Sequence, residues 1–274
     1  MERSRGAAGP IGLFDSGVGG ATVLIELQRA LPHEDFVLLA DQARCPYGPR
    51  PAAELEAIAI ENVRWLLAHN AKLIVVACNT ASAAALHALR AAFPAVPFVG
   101  MVPAVKPAAL ASRTGVVGVL ATPATIAGDL LRDVVERWAQ GVRVVQQACP
   151  GLVEQVEAGA LATPETLGML REYLAPLQAA GADAIVLGCT HYPFLLPQIR
   201  QIIGPSVAVY DAAAAVARQV TRLLAAHHLQ QPDPPRHGRI AYTTSAEPAH
   251  LAALIAQLHL PAGRVMAMAV PATG

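Results

Sequence analysis

The chain alternates between short, continuously apolar runs and longer stretches rich in alanine and leucine. The apolar runs predict strands at residues 11–14, 36–40, 73–77, 96–99, 116–120, 142–146, 185–188 and 207–210, and residues 240–244 are also strand-like. The longer stretches predict helices at residues 20–30, 51–69, 80–92, 122–140, 163–180, 193–203 and 212–227. Because the strands are apolar throughout, rather than at every second position, both faces of each sheet should be covered. The pattern therefore predicts an α/β fold of mostly parallel sheets flanked by helices.

Two segments of the chain look like copies of each other. Residues 71–80 read AKLIVVACNT and residues 182–191 read ADAIVLGCTH, so that Ala, Ile, Val and Cys coincide without a gap. A weaker copy relates residues 11–16 (IGLFDS) to residues 117–122 (VGVLAT). Chance recurrence of short apolar strands before glycine or cysteine is the alternative explanation. The repeat predicts two pseudo-symmetric α/β domains that face each other across a cleft.

The domain junctions are predicted from breaks in this pattern. A proline-bearing stretch at residues 100–103 marks one junction, and residues 210–211 mark the return. Residues 11–102 plus 211–265 then form the first domain, and residues 103–210 form the second. Residues 1–10 and 266–274 are predicted to be flexible termini.

Composition limits the partners of this protein. The chain is 54% hydrophobic and 15% charged, with 20 basic and 20 acidic residues, so it has no net charge to attract nucleic acid or anionic lipid. The apolar runs are far shorter than the roughly 20 residues that cross a bilayer, and the first ten residues lack an apolar signal core. We expect a cytoplasmic protein with neither nucleic-acid nor membrane partners. Its four cysteines contain no Cys-x-x-Cys pair and are expected to be reduced.

Two cysteines stand where a ligand should bind. Parallel α/β sheets collect ligands at the carboxyl ends of their strands, and Asp15, Cys78 and Cys189 all fall there in the predicted fold. A helix N-terminus or a cation lowers the pKa of a thiol, and His191 and Asp15 could act as acid–base partners of Cys189 and Cys78. Two thiols at equivalent positions suit a reaction in which a proton leaves one face of a carbon and returns on the other.

Other interpretations of these residues are weaker. A single cysteine at a strand end is usually a small buried hydrophobe, and Cys45 and Cys149, which lack the context of the repeat, are predicted to be structural. The glycines of residues 17–20 lack the third glycine of a dinucleotide loop. Zinc binding by Cys78, Cys189 and His191 would lack familiar ligand spacing. Only Lys72 and Lys106 could form a Schiff base. We expect neither a metal nor a cofactor.

Four motifs resemble those of one enzyme family. They are FDSGVGG at residues 14–20, RCPYGPR at 44–50, ACNTAS at 77–82 and GCTHYP at 188–193. In this order they are similar to the motifs of bacterial glutamate racemases, and the resemblance covers residues 11–211. It implies two facing α/β domains with the substrate between them, no cofactor and a homodimer. It also implies conversion of L-glutamate to D-glutamate for peptidoglycan synthesis.

The resemblance also implies a role for each motif residue. Cys78 matches the base that acts on D-glutamate, Cys189 the base that acts on L-glutamate, and Asp15 and His191 their assisting groups. The positions that match substrate-binding residues are Asp15, Ser16, Tyr47, Gly48, Asn79, Thr80, Thr125, Thr190 and His191. The chain departs from the family pattern at Gln42, where a small hydroxyl residue is frequent, and at Ala212, where serine is common.

Two alternatives to glutamate racemisation stay open at this point. An aspartate or hydantoin racemase of the same superfamily would keep both thiols and change the side-chain pocket. A non-catalytic amino-acid-binding protein would keep the two-domain cleft and bind its ligand without exchanging a proton. The long motifs around Tyr47 and His191 favour glutamate over the other racemase substrates.

Overall fold

The computed structural model describes residues 7–231 and 236–268, and these form two parallel sheets flanked by helices. The first sheet has six strands, which are β1 (Ile11–Asp15), β2 (Phe36–Ala40), β3 (Leu73–Val76), β4 (Phe98–Val99), β9 (Ile240–Thr244) and β10 (Arg264–Ala267). The second sheet has four strands, which are β5 (Val116–Ala121), β6 (Arg143–Ala148), β7 (Ala184–Gly188) and β8 (Ala208–Tyr210). The predicted α/β class is confirmed.

The internal repeat is present in the topology of the sheets. The first sheet has the order β10-β9-β2-β1-β3-β4, and the second has the order β6-β5-β7-β8. The run β2-β1-β3-β4 therefore corresponds, strand for strand, to β6-β5-β7-β8. The two segments that look alike in the sequence are β3 and β7, each paired with the first strand of its own sheet. Equivalent strand ends consequently carry the two cysteines.

Helices cover both sheets. Their bounds are α1 (Ala21–Ala30), α2 (Ala52–Ala68), α3 (Asn79–Ala92), α4 (Val105–Ala111), α5 (Pro123–Ala127), α6 (Asp129–Trp138), α7 (Leu152–Glu157), α8 (Pro164–Ala179), α9 (Leu196–Ile203), α10 (Ala213–Ala226) and α11 (Pro248–Gln257). Short 3-10 turns span Val18–Gly20, Gln42–Arg44 and Tyr192–Leu195. Within the described ranges, no helix is both long and apolar enough to cross a membrane.

The continuous apolar runs are buried as the pattern predicts. Every residue of β1, β3 and β7 is buried, because helices cover both faces of these central strands. The chain leaves the first sheet after Val99, joins the second with α4, and returns after Tyr210 with α10, which packs against α1. Strand β9 then pairs with β2 at the edge of the first sheet.

Several elements differ from their predicted form. The single helix expected at residues 122–140 is two helices, because Gly128 takes an extended conformation (φ −77°, ψ 144°) between α5 and α6. A Cβ atom on Gly128 would lie 3.0 Å from the Cβ of Ala83, so the break brings α5 close to α3. The pattern missed helices α4, α7 and α11, of which the first two are too short for a helical period to stand out.

The predicted flexible termini are only partly described. Residues 1–6 and 269–274 lie outside the described residues. Met266 and Ala267, which we predicted to belong to a flexible C-terminus, form part of β10, because the backbone of β9 offers this segment a parallel ladder. At the other end, the carbonyl of Pro10 accepts a hydrogen bond from the amide of Lys72 at 2.9 Å.

A buried ion pair ties distant segments together at the end of the first sheet opposite the cysteines. The Lys72 side chain is fully buried and its Nζ contacts Glu34 Oε2 and the carbonyl of Ala7. Glu34 Oε1 accepts a hydrogen bond from the amide of Gln231 at 2.8 Å. One carboxylate and one ammonium therefore hold both the N-terminal segment and the chain after α10.

Replacing Lys72 with methionine is expected to lower the free energy of unfolding by about 3 kcal/mol, because it leaves the Glu34 carboxylate buried without a counter-charge. Chemical denaturation followed by circular dichroism measures the change. The double variant Lys72→Met/Glu34→Gln should recover part of the loss, and Arg29→Met, which removes an exposed pair, should change little. A double variant no more stable than Lys72→Met would contradict an electrostatic cause.

Candidate active site

The carboxyl ends of the two sheets share one cleft. The residues that follow β1, β3, β5 and β7 (Ser16, Cys78, Thr122 and Cys189) all line it. The cleft is narrow, with a cavity volume of about 60 Å³. Two of these strands come from each sheet, so the wall of the cleft is divided between the repeats.

Most of the predicted site residues meet in this cleft. Those that line it are Ser16, Tyr47, Gly48, Cys78, Asn79, Thr80, Cys189, Thr190 and His191. Asp15 and Thr125 lie behind the lining: the Asp15 carboxylate is 3.4 Å from the hydroxyl of Thr190, and Thr125 is hydrogen-bonded to Thr122. Cys149, which we predicted to be structural, also lines the cleft.

Cys78 stands at the N-terminus of α3 beside a buried carboxyl group. Burial and the charge of Asp15 raise the pKa of the Cys78 thiol well above its usual value, although a hydrogen bond from the Ala81 amide acts in the opposite direction. Burial also raises the pKa of Asp15, against the charge of His191 and a side-chain hydrogen bond with Cys78. The Asp15 Oδ2 atom accepts a hydrogen bond from the Gly20 amide at 2.7 Å. The arrangement favours a protonated thiol with a proton acceptor beside it.

Cys189 has an imidazole partner that is in turn held by a carboxylate. The Sγ atom of Cys189 lies 3.8 Å from His191 Nδ1, and His191 Nε2 lies 2.7 Å from Glu157 Oε1. Burial alone would lower the pKa of His191, but hydrogen bonds with Cys189 and Glu157 and the charge of Asp15 raise it well above its usual value. The geometry is that of a nucleophile or base, an acid–base group and an orienting carboxylate.

Glu157 is a site residue that sequence reasoning missed. It ends the short helix α7, and its carboxylate accepts hydrogen bonds from the amide of Val18 (2.6 Å) and the side chain of Gln42 (2.8 Å). Burial would raise the pKa of Glu157, but its hydrogen bonds, with His191 foremost, lower it. Because all three partners are distant along the chain, no local motif marks this glutamate.

The glycine run after β1 makes room for these acid–base groups. A Cβ atom on Gly19 would lie 2.4 Å from His191 Nδ1 and 2.7 Å from Asp15 Oδ2, and one on Gly17 would lie 1.9 Å from Glu157 Oε1. Any side chain at either position would displace the partners of the two thiols. The run therefore serves the close approach of the second sheet rather than a dinucleotide.

Polar groups line the space between the thiols. The hydroxyls of Thr80, Thr122 and Thr125 form one cluster, with Thr80 Oγ1 2.8 Å from Thr122 Oγ1 and Thr122 Oγ1 3.0 Å from Thr125 Oγ1. Thr122 was not predicted, although its place after β5 repeats that of Ser16 after β1. Within residues 7–231 and 236–268, neither side-chain polar atom of Asn79 has a hydrogen-bond partner. A buried, unpaired amide is costly unless a ligand satisfies it.

Tyr47 is held from behind the cleft. Its hydroxyl donates to Asp41, which is fully buried, and accepts a hydrogen bond from Asn62 Nδ2 at 3.1 Å. Arg44 Nε donates to the same Asp41 oxygen at 2.7 Å. This network fixes the segment that carries Tyr47 and Gly48 against the first sheet.

Among the residues that the structure describes, one group of side chains brings three possible metal ligands close together. The Cys45 Sγ, a Glu157 oxygen and a His191 ring nitrogen lie within 4.8 Å of one another. However, His191 Nε2 and Glu157 Oε1 are 2.7 Å apart, whereas two ligands on one tetrahedral zinc with bonds of about 2.0–2.1 Å are separated by roughly 3.3 Å. The pair is spaced for a shared proton rather than for a metal ion.

Comparison with known proteins gives consistent results. A family model described as Asp/Glu/Hydantoin racemase matches residues 19–220. The chain is 60% identical over 259 residues to a glutamate racemase of Roseiflexus sp., covering 94% of this chain and 95% of the relative.

Solved structures give the same result for the fold. A glutamate racemase isoform of Bacillus anthracis superposes with a TM-score of 0.85 at 30% identity, covering 96% of this chain and 98% of that one. The Escherichia coli glutamate racemase, solved with L-glutamate and the activator UDP-MurNAc-ala, superposes with a TM-score of 0.80 at 32% identity, covering 91% and 95%.

Proposed function

This chain belongs to the Asp/Glu/hydantoin racemase family, and from that premise we propose that it interconverts L-glutamate and D-glutamate with Cys78 and Cys189 as its two bases. One observation carries the proposal. Two buried thiols, one from each sheet, line a single cleft, and each has its own acid–base partner. The chain matches the glutamate racemases named above over nearly their whole length, which supports glutamate as the substrate.

The reaction needs one thiolate and one thiol at its start. In the direction from L-glutamate, Cys189 begins as a thiolate beside protonated His191 and takes the α-proton. Cys78 then donates its proton to the opposite face of the planar intermediate, which gives D-glutamate. Cys189 ends as a thiol and Cys78 as a thiolate, so the protons balance and the reverse direction exchanges their roles. The starting state returns when His191 releases a proton to solvent and accepts the one on Cys189, while Asp15 passes a proton from solvent to Cys78.

Carbanion character at the α-carbon has to be stabilised for this proton to leave. Helix α3 begins at the cleft directly after Cys78, where the first N–H groups of a helix have no partner within the helix, and Asn79 and Thr190 add side-chain donors. Such donors, fixed in a buried site, stabilise charge that develops on the substrate carboxylate. We assign Ser16, Asn79, Thr80 and Thr190 to substrate binding, with Tyr47 and Gly48 closing the cleft and Thr125 supporting Thr80.

Incubation of the purified protein with L-glutamate in D₂O tests the function. We expect α-deuteration, seen by loss of the α-proton NMR signal, together with loss of optical activity. Turnover of aspartate or a hydantoin, but not of glutamate, would instead favour another racemase of the family. Saturable binding of glutamate without exchange would favour a binding protein. Cys78→Ser/Cys189→Ser is the matched control, because any exchange it retains cannot come from the thiol pair.

The metabolic role and the oligomeric state are further parts of the proposal. We propose that D-glutamate from this reaction supplies peptidoglycan synthesis in the cytoplasm. The expected homodimer also remains a proposal, which the mass measured by light scattering at micromolar concentration would check.

A further inference from the structure

Gln42 lies at the centre of a hydrogen-bond chain that reaches the active site. Its Oε1 accepts a hydrogen bond from Thr244 Oγ1 at 2.9 Å, and its Nε2 donates to Glu157 Oε2 at 2.8 Å. The Ala246 amide donates to Thr244 Oγ1 at 3.1 Å. Because that amide occupies a lone pair of the hydroxyl, the hydroxyl proton is directed at Gln42 Oε1. The orientation of the Gln42 amide is thereby fixed, with its N–H aimed at the carboxylate.

The same carboxylate carries the imidazole of the active site. Glu157 Oε1 is 2.7 Å from His191 Nε2, and the other oxygen is the one that Gln42 holds. Gln42 and Val18 follow strands of the first sheet, whereas Glu157 and His191 follow elements of the second. Two donors from one half of the molecule therefore set the position of a carboxylate that belongs to the other half.

The length of the Gln42 side chain matters for this contact. Gln42 is one of the two positions, with Ala212, at which the chain departs from the resembled family pattern, and a small hydroxyl residue is frequent there. A serine or threonine hydroxyl ends two bonds nearer the backbone than the Gln42 amide nitrogen, so it cannot bridge the same gap to Glu157. The departure thus provides a contact between the two sheets that the shorter residue could not make.

We infer that Gln42 is a positioning residue for Glu157 and His191, and that it acts across the cleft on the Cys189 side of the reaction. This inference rests on the proposed racemase function. A carboxylate held in place keeps the imidazole oriented, with Nδ1 towards the thiol. Without the Gln42 amide, Glu157 keeps the Val18 contact but loses the contact that fixes its second oxygen. The Cys189 thiolate is then less well supported, whereas the Asp15–Cys78 side is unchanged.

Gln42→Met tests the inference, because methionine has a similar volume and no amide. We expect kcat from L-glutamate to fall about tenfold, which corresponds to the loss of one hydrogen bond to a charged group. Since both enantiomers are equally stable in achiral water, kcat/KM must fall equally in both directions. The diagnostic measurement is the primary deuterium isotope effect on kcat/KM. The isotope effect should rise with α-deuterated L-glutamate, because removal of its proton by Cys189 becomes more rate-limiting. It should fall with α-deuterated D-glutamate, because removal of that proton by Cys78 becomes less rate-limiting.

Controls separate positioning from general damage. Gln42→Ser should change kcat and the isotope effects as Gln42→Met does, because the serine hydroxyl is too short to reach Glu157. For Gln42→Asn, both quantities should lie between those of Gln42→Met and those of the unaltered protein. Thermal unfolding checks that each variant is folded. Isotope effects that stay as in the unaltered protein, in a folded variant with reduced kcat, would overturn the inference and leave Gln42 a purely structural residue.

A second readout does not need turnover. The hydrogen-bonded ring proton shared by His191 Nε2 and Glu157 should give a low-field proton NMR signal that His191→Ala removes. We expect this signal to broaden or shift in Gln42→Met. An unaltered protein that exchanges no α-proton would refute the proposed function, yet a change in this signal would still support positioning of the pair by Gln42. An unchanged signal would refute positioning.

Discussion

Replacing either Cys78 or Cys189 with serine is expected to reduce racemisation by on the order of 10³-fold, within the range of effects seen when a general acid or base is lost. A serine hydroxyl is a far weaker acid than a thiol, so it cannot act as the anionic base at neutral pH. Each variant keeps one competent thiol. That thiol can remove and return a proton only on its own face of the α-carbon, which gives exchange without inversion.

Circular dichroism of the glutamate enantiomers, recorded over time, measures this loss in both directions. Cys149→Ser is the matched control, because Cys149 is also buried and also lines the cleft. Burial and the charge of Cys189 raise the pKa of Cys149 to about 12, and its Sγ donates to the carbonyl of Gln147 at 3.4 Å. It should keep nearly full activity. Turnover within tenfold of the unaltered protein in either Cys78→Ser or Cys189→Ser would exclude a two-thiol mechanism.

The second large effect is expected for His191→Ala, with a loss of about 10²-fold in kcat from L-glutamate and a smaller loss from D-glutamate. From L-glutamate, Cys189 must begin as a thiolate, and His191 is the group that holds its proton. From D-glutamate, Cys189 begins as a thiol and needs no acceptor. Because the two enantiomers are equally stable, kcat/KM stays equal in the two directions. The asymmetry therefore appears in kcat, and KM differs between the two enantiomers by the same factor.

Asp15→Asn provides the mirror-image control for this prediction. Asp15 is the proton acceptor beside Cys78, so its loss should reduce kcat more from D-glutamate than from L-glutamate. Asparagine preserves the shape of the side chain, which is packed against Gly19 and Gly20. Initial rates from each enantiomer at saturating concentration decide the question. Equal losses of kcat in both directions for both variants would show that the assisting roles are not confined to one thiol each.

Much of the fold can be predicted from local pattern. A continuous apolar run places β2 at residues 36–40, and the strand-like segment at 240–244 places β9, where the structure also has them. Such runs are informative because a parallel strand covered on both faces has to be apolar at every position. The pattern fails where the determining contact is not local. Gly128 divides a predicted helix because α5 approaches α3, and β10 exists because β9 offers it a partner.

The same distinction holds for the active site. Strand ends, the repeat and four short motifs identify both cysteines, Asp15 and His191 from the sequence, because each residue immediately follows a predictable element. Tertiary structure alone brings the two sheets together and adds Glu157, which no motif marks, and the amide of Gln42 that holds it. The physical reason is that the site depends on contacts such as those of Glu157 with Val18 (2.6 Å) and Gln42 (2.8 Å), which join groups that follow strands of different sheets. Local sequence determines which strand end carries each group, and only the packing of the two sheets and their helices determines which groups meet.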